Sequence, residues 1–338
     1  MAAYFIRRLL LVIPTFIGVT LLVFAITRFV PGGPVDEILQ QLQMSSGDSG
    51  SGQAIGGESL SAEQINQLKA FYGLDKPTLS AYGDWIQKVL QLDLGTSTRF
   101  QDPVLDLIID RLPISLFYGI TTLIIVYGIC LPLGIVKAIK HNSSFDNISS
   151  VVVFIGYAIP GYVLGILLLN LLAYQFDFFP MGGFVSDHFE TLSLTEKIHD
   201  IFRHAVLPLT AYVAGSFAML TFLMKNSLME NLSRDYMKTA VAKGLSFRQS
   251  VFRHALRNSL VPIATGFGGI LGVVLSGSFL IESIFNIDGI GLLGYESIIK
   301  RDYPVVMGIL VISSLLYLLG NILSDICVAL VDPRVKFE

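Results

Sequence analysis

Seven lysines and arginines fall between Lys225 and Arg257 of this 338-residue chain, with strongly apolar sequence on both sides of them. Side chains of that kind bind acidic surfaces and anions, so the chemistry expected here is docking, and no catalytic group or metal site is expected. Residues 233–262 read SRDYMKTAVAKGLSFRQSVFRHALRNSLVP. Leu228, Leu232, Tyr236 and Ala240 recur every fourth residue and predict an apolar stripe on one helix. Gly244 then suits a left-handed C-cap. Ser246-Phe247-Arg248-Gln249 has the pattern of a capping box, with Ser at the N-cap and Gln three residues on, so a second helix begins at once. That helix carries Arg248, Arg253 and Arg257 and enters the next apolar stretch at about 260–262. Ala240, Ala242 and Gly244 keep the corner slim enough for a partner's groove. Basicity alone also fits a plainer role, contact with anionic lipid at about 1 kcal/mol per basic residue.

Two other signals bear on energy supply. The phosphate-binding pattern G-x-x-x-x-G-K-[ST] is absent, so the chain carries no such loop for ATP. No Asp, Glu, Lys, Arg or His falls in the middle of an expected span, where ion-coupled carriers place the groups that bind their ion. Near the span ends, Arg28 is read as an anchor that snorkels to the interface. Glu282 reads either as an interfacial carboxylate on the outer surface or, with Ser276 and Gly277, as part of a translocation path. Gly266, Gly268, Gly269 and Gly272 permit close helix packing and equally suit a small-residue wall beside such a path. Cys130 and Cys327 read as small buried apolar residues rather than a disulfide pair.

The elements that must position these residues follow from composition. Hydrophobic residues make up 53% of the chain and charged ones 14%, with a mean hydropathy of +0.66, which removes it from the soluble globular class. A hydrocarbon core of about 30 Å takes about 20 apolar residues per helix, and six stretches qualify: 9–29, 114–135, 148–174, 205–224, 260–279 and 304–326. The fold class is therefore an all-α, polytopic membrane protein of six transmembrane helices. Arg7 and Arg8 precede the first stretch, which is too long for a signal peptide and is followed by Pro31-Gly32-Gly33-Pro34 rather than a cleavage site. Placing both termini in the cytoplasm puts thirteen Lys and Arg inside and nine outside, as the positive-inside rule requires. The outer loop 31–113 has eleven acids against five bases. Within it, 44–58 is a Gly/Ser-rich flexible insert, one short amphipathic helix follows Ser61, and another covers 81–90, with Tyr82 and Trp85 suited to the membrane interface. The expected organisation is 1–30 with the first span, the extracytoplasmic subdomain 31–113, the core 114–330 containing the hairpin 225–258, and the tail 331–338. The outer subdomain is a cap over the bundle or a docking surface for a substrate-delivering protein.

At the hairpin the sequence resembles a known family. Lys238-Thr239-Ala240-Val241-Ala242-Lys243-Gly244-Leu245 followed by Arg253-His254-Ala255-Leu256-Arg257-Asn258 is similar to the EAA-type coupling loop of ABC importer permeases, in the form used by dipeptide and oligopeptide permeases. Lys238 stands where Glu is usual, and Arg257 where the motif's Pro would fall. The likeness extends over Tyr4–Leu10, Tyr72-Gly73-Leu74-Asp75-Lys76-Pro77, Asp93-Leu94-Gly95, Arg111-Leu112-Pro113, Arg301-Asp302-Tyr303-Pro304 and Asp332-Pro333-Arg334. Gly32–Asp36, Gly291–Glu296 and the loop around Gly183–Ser186 are most similar to the microcin C/peptide branch.

The resemblance implies a type I ABC importer permease in the bacterial inner membrane, itself non-catalytic. ATP and Mg would be bound by a separate ATPase whose groove takes the hairpin. Tyr236, Lys238, Thr239, Ala240, Ala242, Lys243, Gly244, Leu245, Arg253, His254 and Arg257 would make that contact. Further partners implied are a homologous second permease, a periplasmic substrate-binding protein and membrane lipid, with no nucleic acid. Two other classes stay open from the residues alone: an ATP-independent channel or carrier, and a membrane scaffold that recruits a cytoplasmic protein.

Overall fold

A computed structural model describes residues 2–29, 76–275 and 277–331. The Pro31–Pro34 stop, the insert 44–58, the helix expected after Ser61, Ser276 and the tail beyond Val331 lie outside the described residues. Helices in chain order are α1 (Ala2–Phe29), α2 (Thr78–Leu90), α3 (Val104–Ile139), α4 (Ser144–Ala158), α5 (Gly161–Leu168), α6 (Leu194–Leu232), α7 (Asp235–Ala242), α8 (Phe247–Ser250), α9 (Leu256–Ser259), α10 (Val261–Leu275), α11 (Phe279–Ile284), α12 (Ile290–Ile299) and α13 (Tyr303–Val331). Wider π-helical turns continue α5 through Leu169–Gln175 and join α8 to α9 through Val251–Ala255. Among the described residues there is no strand, and an isolated antiparallel bridge pairs Thr96 with Pro103.

Among the described residues, four helices are long and apolar enough to cross a bilayer: Ile6–Ile26 within α1, and α3, α6 and α13. At 1.5 Å per residue the 36-residue α3 and 39-residue α6 are each over 50 Å long, about 20 Å more than a hydrocarbon core. The stretch 148–174, expected as one straight span, is instead the pair α4 and α5, bent by 89°. The cause is local. A proline disfavours helical backbone in the residue before it, and Ile159 ahead of Pro160 is extended, at φ −92° and ψ 117°. The new direction brings Gly161 against α6, where a Cβ would lie 2.5 Å from the carbonyl oxygen of Ala211. Of the stretch 260–279, α10 covers Val261–Leu275.

The chain divides into two compact units. The first is formed by the described residues within 1–12, 111–293 and 315–338. One of its cores joins Val126, Cys130 and Ala138 of α3 to Leu220, Met224 and Leu228 of α6, and both to Met237, Val251, Ala255 and Ile263. A second gathers Tyr118, Ala211, Ile281, Phe285 and Ile287. α3 and α6 approach closely at Gly134, where a Cβ would meet Met224 at 2.7 Å. Cys130 is buried, and both cysteines are free thiols.

The second unit is formed by the described residues within 13–110 and 294–314. Here Tyr82 and Trp85 pack on Phe24, and the Tyr82 hydroxyl meets Thr20 Oγ1 at 2.9 Å. The Arg28 guanidinium donates to the Lys76 carbonyl. The carboxylate of Asp302, fully buried, accepts from the Ser97 hydroxyl and from the Thr98 amide at 3.1 Å, which fixes the turn after Gly95.

Candidate functional site

The basic segment is a short-helix hairpin whose corner follows from its capping residues. α6 stops at Leu232, and α7 starts at Asp235 after Ser233 and Arg234, so the stripe from Leu228 to Ala240 crosses a break instead of running along one helix. The hairpin proper thus begins at 235, and Lys225 belongs to α6. α7 closes with paired reverse bonds, Gly244 N–H to the Val241 carbonyl at 2.9 Å and Leu245 N–H to the Ala240 carbonyl at 3.3 Å. This closure needs a left-handed residue at Gly244, whose φ is +91°. The Ser246 amide donates to Gln249 Oε1 at 3.0 Å and the Gln249 amide to Ser246 Oγ at 3.3 Å, completing the box that starts α8.

Burial sorts the residues expected to contact an ATPase. Lys238, Thr239, Ala242, Lys243, Gly244, Arg253, His254 and Arg257 are exposed, and Leu245 is half-buried. Ala240 is buried against the chain's own core and is not available to a partner's groove, which corrects the expectation for it. Tyr236 is half-buried on the same core, its hydroxyl donating to Asn231 Oδ1 at 2.7 Å. Arg257 Nε donates to the Val331 carbonyl at 2.8 Å, tying α9 to the end of α13. Lys238 pairs with Asp235 at 2.8 Å on the outer face of α7.

The sequence reading passed over Phe247 and Phe252, 53% and 50% exposed beside Arg248 and Arg253. Two aromatic residues on a polar hairpin were its available signal, since a surface that met only water would gain nothing from them. Together with Val241 they make the exposed face mixed, apolar and basic.

The second expected site is differently built. Glu282 is 1% exposed, so it is not a carboxylate on the outer surface. Its oxygens accept from the Leu292 amide at 2.7 Å, the Ser278 amide at 3.1 Å and the Tyr212 hydroxyl at 3.2 Å. Glycines surround it: a Cβ at Gly277 would lie 2.2 Å from Oε1, one at Gly289 2.6 Å from Oε2, and one at Gly291 3.0 Å from Oε1. The carboxylate thus holds the turn from α10 through α11 to α12, and its bonding capacity is taken up within the chain. The α10 glycines divide by face. A Cβ at Gly268 would meet Gly320 at 2.3 Å and one at Gly272 would meet Tyr317 at 2.7 Å, whereas Gly266 and Gly269 have nothing within 4 Å.

A buried ion cluster was missed altogether. In the sequence Lys137 and Lys225 contribute only to the count of basic residues. Lys137 is 0% and Asp146 2% exposed, and Lys225 Nζ bonds both carboxylate oxygens of Asp146 at 2.8 Å. Lys137 Nζ lies 3.2 Å from Asp146 Oδ1 and donates to the Asp146 carbonyl, Ser149 Oγ and Ser150 Oγ at 2.7–2.9 Å.

Comparison with known proteins agrees with this architecture. Residues 130–337, which contain the ion cluster, the hairpin and the glycine-cradled turn, match the family of the binding-protein-dependent transport system inner membrane component. The chain is 41% identical to the peptidoglycan transport system permease protein YejB of Agrobacterium fabrum, over all of this chain and 99% of that one. It is 40% identical to the inner membrane ABC transporter permease protein YejB of Escherichia coli O157:H7 and 35% identical to the oligopeptide transport system permease protein AppB of Bacillus subtilis, in both cases over the full length of both chains. With helices that can cross a bilayer, a family match over more than half its length and full-length relatives, this chain belongs to the inner membrane components of binding-protein-dependent transport systems.

Proposed function

We propose that this chain is the permease subunit of an ATP-driven importer of peptides or peptide-like compounds, with energy entering through the exposed face of α7 and α8. The observation that carries this reading is the hairpin itself. A rigid corner, capped on both sides, presents Val241, Lys243, Phe247 and Arg248 to solvent, in a chain with no phosphate-binding loop of its own. An apolar and basic protrusion of this kind fits an apolar groove with an acidic rim on a partner, and the partner meant is a separate ATPase that binds ATP and Mg. Six spans with both termini in the cytoplasm, a homologous second permease completing the conduit, alternating access, and delivery by a periplasmic binding protein complete the proposal. The non-catalytic role of this chain and its organisation into an outer subdomain and a core belong to it as well.

Peptides are favoured as cargo because the full-length relatives are named for peptidoglycan, oligopeptide and dipeptide transport. The branch resemblance extends the cargo to peptide-nucleotide compounds of the microcin C kind. The test is import of a labelled tripeptide into proteoliposomes holding this chain, a second permease and the ATPase, with binding protein outside. Import that requires ATP on the ATPase side is expected; import by this chain alone, without ATP, would sink the reading. Gly244→Val, which forces a β-branched residue into left-handed backbone, should leave membrane insertion normal and lower ATP-driven import several-fold.

A further inference from the structure

Resting on the import reading above, we infer that the Asp146 cluster is the joint that makes α4 follow α6 when the hairpin moves. Three observations carry this inference. First, the hairpin and the end of α6 form one body. Met224, Leu228, Met237, Val251 and Ala255 share a core, and Ser227 and Ser259 exchange hydroxyl–carbonyl bonds of 3.0 and 3.3 Å. A displacement of α7 or α8 is therefore a displacement of Lys225, two turns before α6 ends.

Second, Lys225 is fastened to α4 through both oxygens of Asp146. The carboxylate also accepts from the Asn142 amide at 3.1 Å and lies 3.3 Å from His141 Nδ1, while the Asp146 amide donates to the capping Ser143 at 3.3 Å. Apolar faces slide past one another through many near-equal packings. A desolvated carboxylate bonded through both oxygens has one favourable position, and separating it from its cation is costly. Elsewhere α4 and α6 meet through stacked rings, Phe154 on Phe222 with centroids 4.7 Å apart, a contact that tolerates sliding.

Third, the cluster is built to keep its geometry. Lys137 donates to α4 groups, the Asp146 carbonyl, Ser149 and Ser150, and so fixes the start of α4 to the end of α3. At 3.2 Å from Asp146 Oδ1 it shares that oxygen with Lys225, which makes the shorter bonds, 2.8 Å to each carboxylate oxygen. α4 leads to the 89° bend at Pro160, so a pull on Asp146 reaches a span that is already bent. Asp146 and Lys225 are thus positioning residues, coupling hairpin displacement to the shape of the conduit.

The test uses the reconstituted complex, reading ATP hydrolysed and tripeptide imported on the same vesicles. Lys225→Gln leaves the Lys137–Asp146 pair neutral and should assemble. We expect hydrolysis within twofold of wild type and peptide imported per ATP down about tenfold. Lys225→Arg, which can again bond both oxygens, should restore the ratio. Asp146→Asn with Lys225→Met, which conserves the cluster's net charge, should match Lys225→Gln. An unchanged ratio in Lys225→Gln overturns the inference, as does a parallel loss of hydrolysis and import at constant ratio. Failure of both variants to assemble makes the cluster a folding element and overturns it equally. Absence of ATP-driven import by the wild-type complex is a different failure, that of the import reading itself.

Discussion

Among the turns that place a glycine in left-handed backbone, those at Gly244 and Gly277 use it in opposite ways. Gly244, at φ +91° in the hairpin, has no atom within 4 Å of where a Cβ would stand. Gly277, at φ +75° after α10, has Glu282 Oε1 2.2 Å from that point. The first turn is closed by backbone bonds alone and leaves its outer side empty. The second is filled from within by a carboxylate that accepts two amides and a tyrosine hydroxyl. On the proposed reading, the corner that would meet a partner keeps its space, whereas the corner that sets the chain's own geometry uses it up.

The contrast can be broken most directly at Glu282. Glu282→Ala leaves the Ser278 and Leu292 amides and the Tyr212 hydroxyl buried without an acceptor, and should cost about 3 kcal/mol. Thermal denaturation of the purified complex would show it, while a melting temperature like that of the wild type would mean that the carboxylate does not hold the turn. Next in size is Gly277→Ala against Gly244→Ala. Overlap with Oε1 should make the former cost about 2–3 kcal/mol, and the latter should cost about 1 kcal/mol, the strain of left-handed backbone alone. Equal losses would erase the distinction between a filled and an open turn.

The same logic extends to adjacent residues on α10. Gly268→Leu drives a side chain into Gly320 and should cost about 2 kcal/mol, whereas Gly269→Leu enters open space and should leave stability unchanged within about 0.5 kcal/mol. A drop in import without a drop in stability for Gly269→Leu would place that face on the conduit or the second permease. Ser246→Ala should cost about 1 kcal/mol from loss of one side of the capping box, read as faster hydrogen exchange at the Gln249 amide.

These cases show what kind of information each part of the chain carried. Gly244, Ser246 and Gln249 were legible because caps are local: every bond in that corner spans five residues or fewer. The break at Pro160 was equally local, in Ile159-Pro160-Gly161, and was overlooked because the hydropathy of 148–174 is continuous across it. Lys137, Asp146 and Lys225 gave no such signal. Asp146 and Lys225 stand 79 residues apart, and Glu282 and Tyr212 stand 70 apart, so no periodicity or motif links them. Ala240 was misjudged for a related reason, since a small residue near a turn suits a partner's groove and the chain's own core alike. Gly268 and Gly269 are indistinguishable in sequence, and one step of about 100° around α10 gives them different neighbours.

The sequence by itself determined the solvent, the helical class, the basic segment and its capped corner, because hydropathy, charge and capping act over one span or one turn. Only the tertiary structure decided which charges are buried, which glycines are filled and which side of the hairpin faces outward. Those outcomes depend on which distant surfaces exclude water from a given side chain, and that exclusion exists only once the helices have packed.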